Sequence, residues 1–181
     1  MMHELIIAGF GGQGVMSMGQ WLTSAGMKEG KYVTWLPSYG PEQRGGTANV
    51  SVVISDDPVG SPVVTKPMIT VVLNNPSFDK FEPKVKPGGY LFINSSLVER
   101  TSKRTDIEVV KIPATEIANE LGNTKVANSV ILGSLLENTH LLSEQTLRDT
   151  IVDSLSGKND LVQLNLAAFE KGKGYSNMVN A

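Results

Sequence analysis

The feature that most constrains the fold is the segment 5–14, in which an apolar run breaks into glycines and then into a helical pattern. Leu5–Ala8 are apolar, as expected of a buried strand, and Gly9–Gly14 form the break. Across 15–26, apolar and small residues recur every three or four positions, which is the spacing of one buried helix face. The sequence therefore predicts a strand, a tight turn and an amphipathic helix.

The glycines of this turn stand at the spacing of a dinucleotide-binding fingerprint. Such glycines permit a sharp turn, a close approach of backbone to phosphate, and close packing of helix against strand. The following helix directs unpaired N–H groups and a partial positive charge at the turn, so an anion can bind there without a basic side chain. The candidate ligand- or partner-binding residues of the turn are Gly9, Gly11, Gly12, Gln13 and Gly14.

The acidic residue that a nicotinamide or flavin site places after its second strand is missing. The second predicted strand runs over 32–36 and is followed by Pro37, Ser38, Tyr39 and Gly40, so no carboxylate stands there to bind ribose hydroxyls. Two interpretations of the turn stay open. It contacts a phosphate-bearing ligand, or it serves packing or subunit contact.

Composition narrows the function classes. The 181 residues carry a net charge of −2 and are 40% hydrophobic, which predicts one domain over 1–181 and disfavours nucleic acid as a partner. Without Cys, the chain cannot form disulfides or hold a cysteine-ligated iron–sulfur cluster. Two distant histidines disfavour a histidine-rich metal site, and a carboxylate site for a hard cation stays open. With no leader and no apolar run of spanning length, we expect a cytoplasmic protein without membrane contact.

Strand and helix patterns alternate along the chain and then become helical. Apolar runs predict strands at 48–54, 68–73, 90–93 and 107–112, and the last third from Val126 has helical spacing. This order predicts an α/β fold: a Rossmann-like open, mostly parallel twisted sheet with helices on both faces and a helical C-terminal third.

Ligands of such a sheet bind outside the carboxyl ends of the strands, where the strand order reverses. The loops after the first, second, fourth and fifth strands should meet at this edge, and the second is the richest in chemical groups. There, Arg44 offers a fork suited to carboxylate or phosphate, Glu42 can orient it, and Tyr39 provides a flat face. The alternative is an ordered surface loop in which Glu42 and Arg44 pair with each other. The candidate residues of this loop are Ser38, Tyr39, Gly40, Glu42, Gln43, Arg44, Gly45 and Gly46.

Two asparagines stand at predicted helix starts. Asn75 is expected to cap a short helix with Pro76 in its first position, whereas Asn128 either caps its helix or contacts the glycine turn. The sequence shows no Ser/His/Asp set, no paired catalytic carboxylates and no phosphate-transfer loop with its lysine. We therefore predict no catalytic residue and no metal ligand in this chain.

Four segments together resemble the gamma subunit of 2-oxoacid:ferredoxin (acceptor) oxidoreductases, which is equivalent to the gamma domain of pyruvate:ferredoxin oxidoreductase. The resemblance spans essentially the whole chain, and its second segment is far more specific than its first. The four segments are 9–15, 38–46, 128–133, and 165–169 followed by Gly172.

The resemblance implies a non-autonomous part of an enzyme that oxidatively decarboxylates a 2-oxoacid to an acyl-CoA and passes electrons to ferredoxin or another acceptor. It implies thiamine diphosphate, with Mg²⁺, between alpha and beta subunits, and iron–sulfur clusters on beta or on a ferredoxin-like delta subunit. It associates the gamma unit with the coenzyme A side of the reaction. Among 2-oxoacids, it favours 2-oxoglutarate over pyruvate, branched-chain 2-oxoacids and indolepyruvate. No cofactor is expected on this chain alone, and self-association of the isolated chain is left open.

Two alternatives belong to other classes of protein. One is a stand-alone Rossmann-like nucleotide-binding protein or dehydrogenase, against which the missing acidic residue argues. The other is a purely structural adaptor subunit whose loops contact protein alone. The subunit hypothesis allows the glycine turn to contact coenzyme A, whereas the adaptor hypothesis has it contact protein alone. The sequence leaves both open.

Overall fold

The computed structural model describes residues 1–41 and 46–176, and its six strands form a single sheet. In chain order the strands are β1 (Met2–Phe10), β2 (Tyr32–Tyr39), β3 (Thr47–Ser55), β4 (Ile69–Val72), β5 (Tyr90–Asn94) and β6 (Glu108–Ile112). Their order across the sheet is β2-β3-β1-β4-β5-β6. The four neighbouring strands β1, β4, β5 and β6 are parallel, whereas β3 is antiparallel to both β1 and β2. The sheet is mostly parallel, as predicted, and β3 is the exception.

Helices flank both faces and fill the last third of the described chain, as predicted. They are α1 (Val15–Lys28), α2 (Asn75–Phe81), α3 (Ala114–Glu120), α4 (Ala127–Thr139), α5 (Glu144–Ser154) and α6 (Asn159–Lys173), with short 3₁₀ helices at Glu82–Lys84 and Thr124–Val126. Within the described ranges, none of these helices is both long and apolar enough to cross a membrane.

Alternate residues of β1 enter two separate hydrophobic clusters. Leu5 and Ile7 pack with residues of α1 and of α3–α6 on one face, while Ile6 and Ala8 pack with the phenylalanines of α2 on the other. Because successive side chains of a strand point to opposite faces, a strand buried on both sides must be apolar throughout. This requirement explains the uninterrupted apolar run that opens the sequence.

The strand β2 extends through Pro37 to Tyr39, so the prediction that it ends at Leu36 was wrong. The N–H of Gly40 donates to the carbonyl of Thr47 at 2.7 Å, which marks this opposed pair as hydrogen-bonded. Counting back in steps of two, Pro37 falls at a position whose backbone faces away from β3. Its missing N–H therefore removes no ladder bond, and proline is compatible with this edge strand. Ser38 and Tyr39 belong to β2 rather than to the loop.

The cap of α2 also differs from the prediction by one residue. Asn74 is the N-cap, and its Oδ1 accepts a hydrogen bond from the N–H of Ser77 at 2.8 Å. Asn75 is the first helical residue, and its Oδ1 accepts from the N–H of Glu99 at 3.0 Å. Two adjacent asparagines before a proline give the same sequence signal. The bond to Glu99, which is distant in the sequence, is invisible to a local pattern.

The helices α4 and α6 pack backbone against backbone. A methyl group at Gly133 would overlap the carbonyl oxygen of Phe169, and one at Gly172 would overlap the carbonyl oxygen of Val130. A buried hydrogen bond joins the same helices, in which Ser129 Oγ donates to Asn165 Oδ1 at 2.6 Å. Two of the sequence segments that carry the family resemblance, 128–133 and 165–172, therefore form one close helix pair.

Candidate functional site

The glycine turn between β1 and α1 contains two residues in left-handed backbone conformation. Gly12 has φ 89° and Gly14 has φ 83°, and Gly14 is the N-cap of α1. Residues other than glycine rarely adopt these φ angles, so the turn requires glycine at both positions. The helix begins without a side-chain cap and without an acidic residue in its first turn. Its first N–H groups are therefore available to an anion.

Gln13 ties the turn to the end of β4. Its Oε1 accepts a hydrogen bond from the N–H of Phe10 at 2.6 Å, and its Nε2 donates to the carbonyl of Leu73 at 3.2 Å. Gly9 leaves space for this arrangement, because a methyl group there would lie 2.6 Å from Gln13 Oε1. Of the residues predicted to bind a ligand, Gln13 and Gly9 thus shape the turn itself.

The two predicted loops meet at the same rim of the sheet. The N–H of Gly11 donates to the carbonyl of Gly46 at 3.0 Å, and the N–H of Gly40 donates to the carbonyl of Thr47 at 2.7 Å. Gly46 and Thr47 therefore link the glycine turn to the end of β2. Glu42, Gln43, Arg44 and Gly45, with the ion pair considered for Glu42 and Arg44, lie outside the described residues.

Asn128 contacts the glycine turn and does not cap α4. A methyl group at Gly14 would lie 2.8 Å from Asn128 Nδ2, while the N-cap of α4 is Val126. The Oδ1 of Asn128 accepts from the N–H of Ser129 at 2.9 Å, which orients the amide with its nitrogen toward Gly14. The structure therefore favours contact with the glycine turn over capping for Asn128, and its role in binding a ligand or partner stays a prediction.

A cleft of about 400 Å³, here called the first cleft, lies between this turn, the start of α4 and the ends of β4 and β5. Strand order reverses here, because the chain leaves β1 toward β2 and β3 on one side and then crosses to β4 on the other. Among the described residues that line the cleft, Lys125 is the one with a charged side chain. The other polar side chains of its lining are Gln13, Ser17, Asn94, Thr115, Thr124 and Asn128.

The electrostatics of the first cleft favour an anion. Both α1 and α4 begin at its wall, and neither has an acidic residue in its first turn. The positive ends of two helices lie at this cleft, which Lys125 also lines. At the start of α4, the N–H groups of Ala127 and Ser129 already donate to the carbonyl of Thr124 and to Asn128 Oδ1. Sequence reasoning missed Lys125, Ser17 and Thr124 because they approach the turn from separate elements. The strand-end rule did place Asn94 at this edge.

Asn94 organises the floor of the first cleft. Its Oδ1 accepts from the N–H groups of Ala114 at 3.2 Å and Ser96 at 3.3 Å, and its Nδ2 donates to Thr115 Oγ1 at 3.1 Å. With its amide used in this way, Asn94 holds the ends of β5 and β6 together. The other polar side chains of the lining belong to the turn, to α1, to α3 and to the start of α4.

A second cleft of about 310 Å³ lies on the other side of the turn, and is here called the second cleft. It is bounded by the glycine turn, the start of α1, Phe10, Ala48 and Tyr39. Tyr39 is 70% exposed and Phe10 is 37% exposed, so aromatic surface borders this cleft. The glycine turn is a shared wall between a polar cleft and an aromatic one.

The topology also bears on the dehydrogenase alternative. In a dinucleotide-binding sheet the second strand lies beside the first, so that its terminal acid reaches the ribose next to the glycine turn. Here β3 lies between β1 and β2, which places the end of β2 about 10 Å from β1. The strand beside β1 is β3, which begins at this rim with Thr47 and Ala48 and offers no carboxylate there. Geometry and sequence thus agree against a ribose-binding acid.

The described groups with displaced pKa values lie away from both clefts. Asp56 is the largest case: hydrogen bonds from Lys31 and from the N-terminal ammonium lower its pKa from 3.8 to about 2. Burial lowers the pKa of His3, which lies near the same cluster. These groups lie at the opposite end of β1 from the glycine turn, so they belong to the fold rather than to the candidate site.

Comparison with known proteins identifies the family. Residues 4–175 match the family model described as "Pyruvate ferredoxin/flavodoxin oxidoreductase". The chain belongs to this family. The match covers every element that builds the two clefts.

Two curated members of the family show how differently its chains are arranged. The ketoisovalerate oxidoreductase subunit VorA of Methanothermobacter marburgensis is 42% identical over 94% of this chain, but the match covers 36% of VorA. The 2-oxoglutarate synthase subunit KorC of Methanocaldococcus jannaschii is 39% identical over 95% of this chain and 92% of KorC. The chain therefore spans about a third of the length of VorA and nearly all of KorC.

Solved structures of the family have the same fold. The gamma subunit of a keto/oxoacid ferredoxin oxidoreductase from Geobacter sulfurreducens has a TM-score of 0.84 and 29% identity, covering 95% of this chain and 94% of that one. The 2-oxoglutarate:ferredoxin oxidoreductase from Magnetococcus marinus, with 2-oxoglutarate, coenzyme A and succinyl-CoA bound, has a TM-score of 0.85 and 26% identity over 96% of this chain and 30% of that one. The prediction of a gamma-type α/β fold is confirmed.

Proposed function

We propose that this chain is the gamma subunit of a thiamine diphosphate-dependent 2-oxoacid:ferredoxin (acceptor) oxidoreductase, and that its first cleft contacts the phosphate-bearing part of coenzyme A. The observation that carries the proposal is the convergence of the glycine turn, the start of α4 and Lys125 on one cleft. Coenzyme A is a polyanion, and such a cleft suits a phosphate through backbone N–H groups and one ammonium group. The Magnetococcus marinus neighbour, which holds coenzyme A, supports the same ligand.

In this proposal the chain binds and positions, while companion subunits supply the redox chemistry. Because the sequence has no Cys, a cysteine-ligated iron–sulfur cluster must be held outside these 181 residues. Thiamine diphosphate with Mg²⁺ is assigned to alpha and beta subunits, and the clusters to beta or a ferredoxin-like delta subunit. The isolated chain is then expected to oxidise no 2-oxoacid, whereas the complex that contains it does.

The deciding experiment measures the KM for coenzyme A in the assembled oxidoreductase carrying Lys125→Gln. Loss of one charge-assisted hydrogen bond to phosphate should raise this KM about tenfold, with the KM for the 2-oxoacid unchanged. Lys125→Arg should retain most of the affinity. Lys66→Gln is the matched control, because Lys66 is exposed and precedes β4, at the other end of the strands from the first cleft. An unchanged KM for coenzyme A in Lys125→Gln would contradict binding of coenzyme A at the first cleft.

Arg44 separates this proposal from a purely structural adaptor. If Arg44 contributes to coenzyme A binding, Arg44→Ala should raise the KM for coenzyme A while the complex still assembles. Impaired assembly with unchanged coenzyme A affinity would instead support the adaptor. Calorimetry of the purified chain with NAD, NADP, FAD and coenzyme A tests the dehydrogenase alternative, which tight binding of a dinucleotide would favour.

We assign 2-oxoglutarate as the substrate class of the complex, with 3-methyl-2-oxobutanoate (ketoisovalerate) as the competing candidate. The match to KorC over nearly the whole of both sequences supports 2-oxoglutarate, and so does the Magnetococcus marinus neighbour. The higher identity to VorA favours the branched-chain acid. Comparing kcat/KM of the purified complex for 2-oxoglutarate, pyruvate and ketoisovalerate decides between them, since the preferred substrate should exceed the others at least tenfold.

A further inference from the structure

The outer edge of the sheet at β2 is unusual for an exposed strand. β2 has eight residues and none of them is charged, yet it is the terminal strand of the sheet in the described chain. Tyr32, Leu36 and Tyr39 are 50%, 40% and 70% exposed. Edge strands that face water usually carry Lys, Glu or another charge to prevent association. An uncharged strand with three exposed large apolar side chains therefore has the character of an interface.

The backbone of this edge limits what can bind. Counting from the hydrogen-bonded pair Gly40–Thr47, the outward-facing backbone positions of β2 are Val33, Trp35, Pro37 and Tyr39. Pro37 has no N–H, so a strand added along the whole edge would lose a ladder bond at its centre. A second copy of this chain, paired β2 against β2, would meet this defect from both sides. The edge thus favours docking through side chains over continuous strand pairing.

One end of this edge is continuous with the candidate site. Tyr39 ends β2 and also borders the second cleft, together with Phe10 and the glycine turn. Tyr39 lies an odd number of positions from Tyr32 and Leu36, so its side chain points to the opposite face of the sheet from theirs. A partner that contacts all three side chains must wrap around the β2 edge, and it would then close the second cleft and lie against the glycine turn. The apolar edge and the polar cleft meet at one rim of the molecule.

The family match indicates which partner this is. In VorA the region matching this chain is 36% of the polypeptide, so most of VorA is additional chain attached to the same domain. We propose that the β2 edge, defined by Tyr32, Leu36 and Tyr39, docks the part of the oxidoreductase that corresponds to this additional region of VorA, and brings it to the glycine turn. This inference rests on the proposed function, because it takes the chain to act within such a complex.

Site-specific photo-crosslinking tests the location and the occupant together. Benzoylphenylalanine is placed at Leu36 in the assembled oxidoreductase, and the cross-linked peptide is sequenced by mass spectrometry. A peptide from the region that corresponds to the additional part of VorA is expected. The matched control is Lys111, an exposed residue of the other edge strand, β6, which should give no such cross-link. A Leu36 cross-link to a second copy of this chain, or none in an active complex, overturns the proposal.

A charge variant gives an independent measurement. Leu36→Glu should weaken recovery of the companion chain with the tagged subunit at least tenfold, whereas Lys111→Glu, which adds the same side chain to the other edge, should not. Undiminished recovery with Leu36→Glu would contradict docking at β2. The outcome is distinguishable from failure of the coenzyme A proposal, because that failure appears as an unchanged KM in Lys125→Gln and leaves the Leu36 cross-link unaffected.

Discussion

The glycine turn and the α4–α6 helix pair both depend on glycine, for opposite physical reasons. In the turn, Gly12 and Gly14 are required by positive φ angles, and a methyl group at Gly12 would meet nothing within 4 Å. In the helix pair, Gly133 and Gly172 have ordinary helical angles, and a methyl group would meet the backbone of the other helix. At Gly12 the space around a bent backbone is open, whereas the helix pair fills the space around a regular backbone.

This difference separates the family's sequence segments by role. Segment 9–15 borders both clefts and Tyr39 borders the second, while 128–133 and 165–172 hold two helices together. Asn128 belongs to both groups, since it lies in the first turn of α4 and its side chain contacts Gly14. A motif that identifies a family can thus report packing as well as binding, and the local geometry shows which.

The largest effect is expected from filling the helix pair. Gly172→Ala and Gly133→Ala each place a methyl group inside a backbone carbonyl contact, so the helices must separate. Overpacking of this kind should lower the free energy of unfolding by about 3 kcal/mol or more. Urea unfolding measures this loss. Gly60→Ala is the control, because Gly60 has open space and no positive φ, and should change stability by less than about 0.5 kcal/mol.

A smaller effect should distinguish the two left-handed glycines of the turn. Gly12→Ala introduces only backbone strain, about 1 kcal/mol, whereas Gly14→Ala adds a clash with Asn128 Nδ2 and should cost about 2 kcal/mol. In an Asn128→Ala background the two variants should become equal within about 0.5 kcal/mol. If the difference persists there, the Asn128 contact is not its cause.

Next in size are the polar contacts, which should separate stability from function. Ser129→Ala leaves the buried Oδ1 of Asn165 without its donor and should cost about 1–2 kcal/mol, with the KM for coenzyme A unchanged. Gln13→Ala frees the turn from Leu73 and should cost about 1 kcal/mol while raising that KM. Gln20→Ala, an exposed position of α1, should change neither quantity. Equal effects of Ser129→Ala and Gln13→Ala on the KM for coenzyme A would contradict the assignment of packing to the helix pair and binding to the turn.

The smallest effect belongs to Asp56, which lies outside both regions. Its folded pKa of about 2 lies below its ordinary value of 3.8, so its stabilising contribution is present above about pH 4 and is lost as pH falls through 2. Unfolding curves of the wild type and of Asp56→Asn should therefore differ at pH 7 and converge near pH 2. The penalties of Gly172→Ala and Gly14→Ala involve no titrating group and should be the same at pH 7 and pH 4.

Much of the fold follows from the sequence because its signals are local. The apolar run 5–8, the buried face of α1 and the alternation of strands and helices were all predicted and are all observed. The insertion of antiparallel β3 between β1 and β2 was not predicted, because alternation within a strand says nothing about its neighbours. The sequence predicts that β2 ends before Pro37 for a related reason: only the register with β3 shows that the nitrogen of Pro37 faces outward.

The candidate site was predicted in part. The turn and Gly46 follow from motif spacing and the strand-end rule, whereas contact of Asn128 with the turn was one of two hypotheses. The structure brings all of them together. Lys125 had no sequence signal, since a single lysine before a helix resembles any solvated cation. Its position becomes informative only when the sheet places it across a cleft from the turn.

Gly46 and Thr47 present consecutive carbonyl groups to two different loops, one accepting from Gly11 and the other from Gly40. Because Gly46 directly precedes β3, both hydrogen bonds fix the glycine turn and the end of β2 to one short stretch of backbone. The glycine turn and the end of β2 should therefore move together. Ordering one side by a ligand would then stiffen the side that faces a neighbouring protein, without any contact between the two.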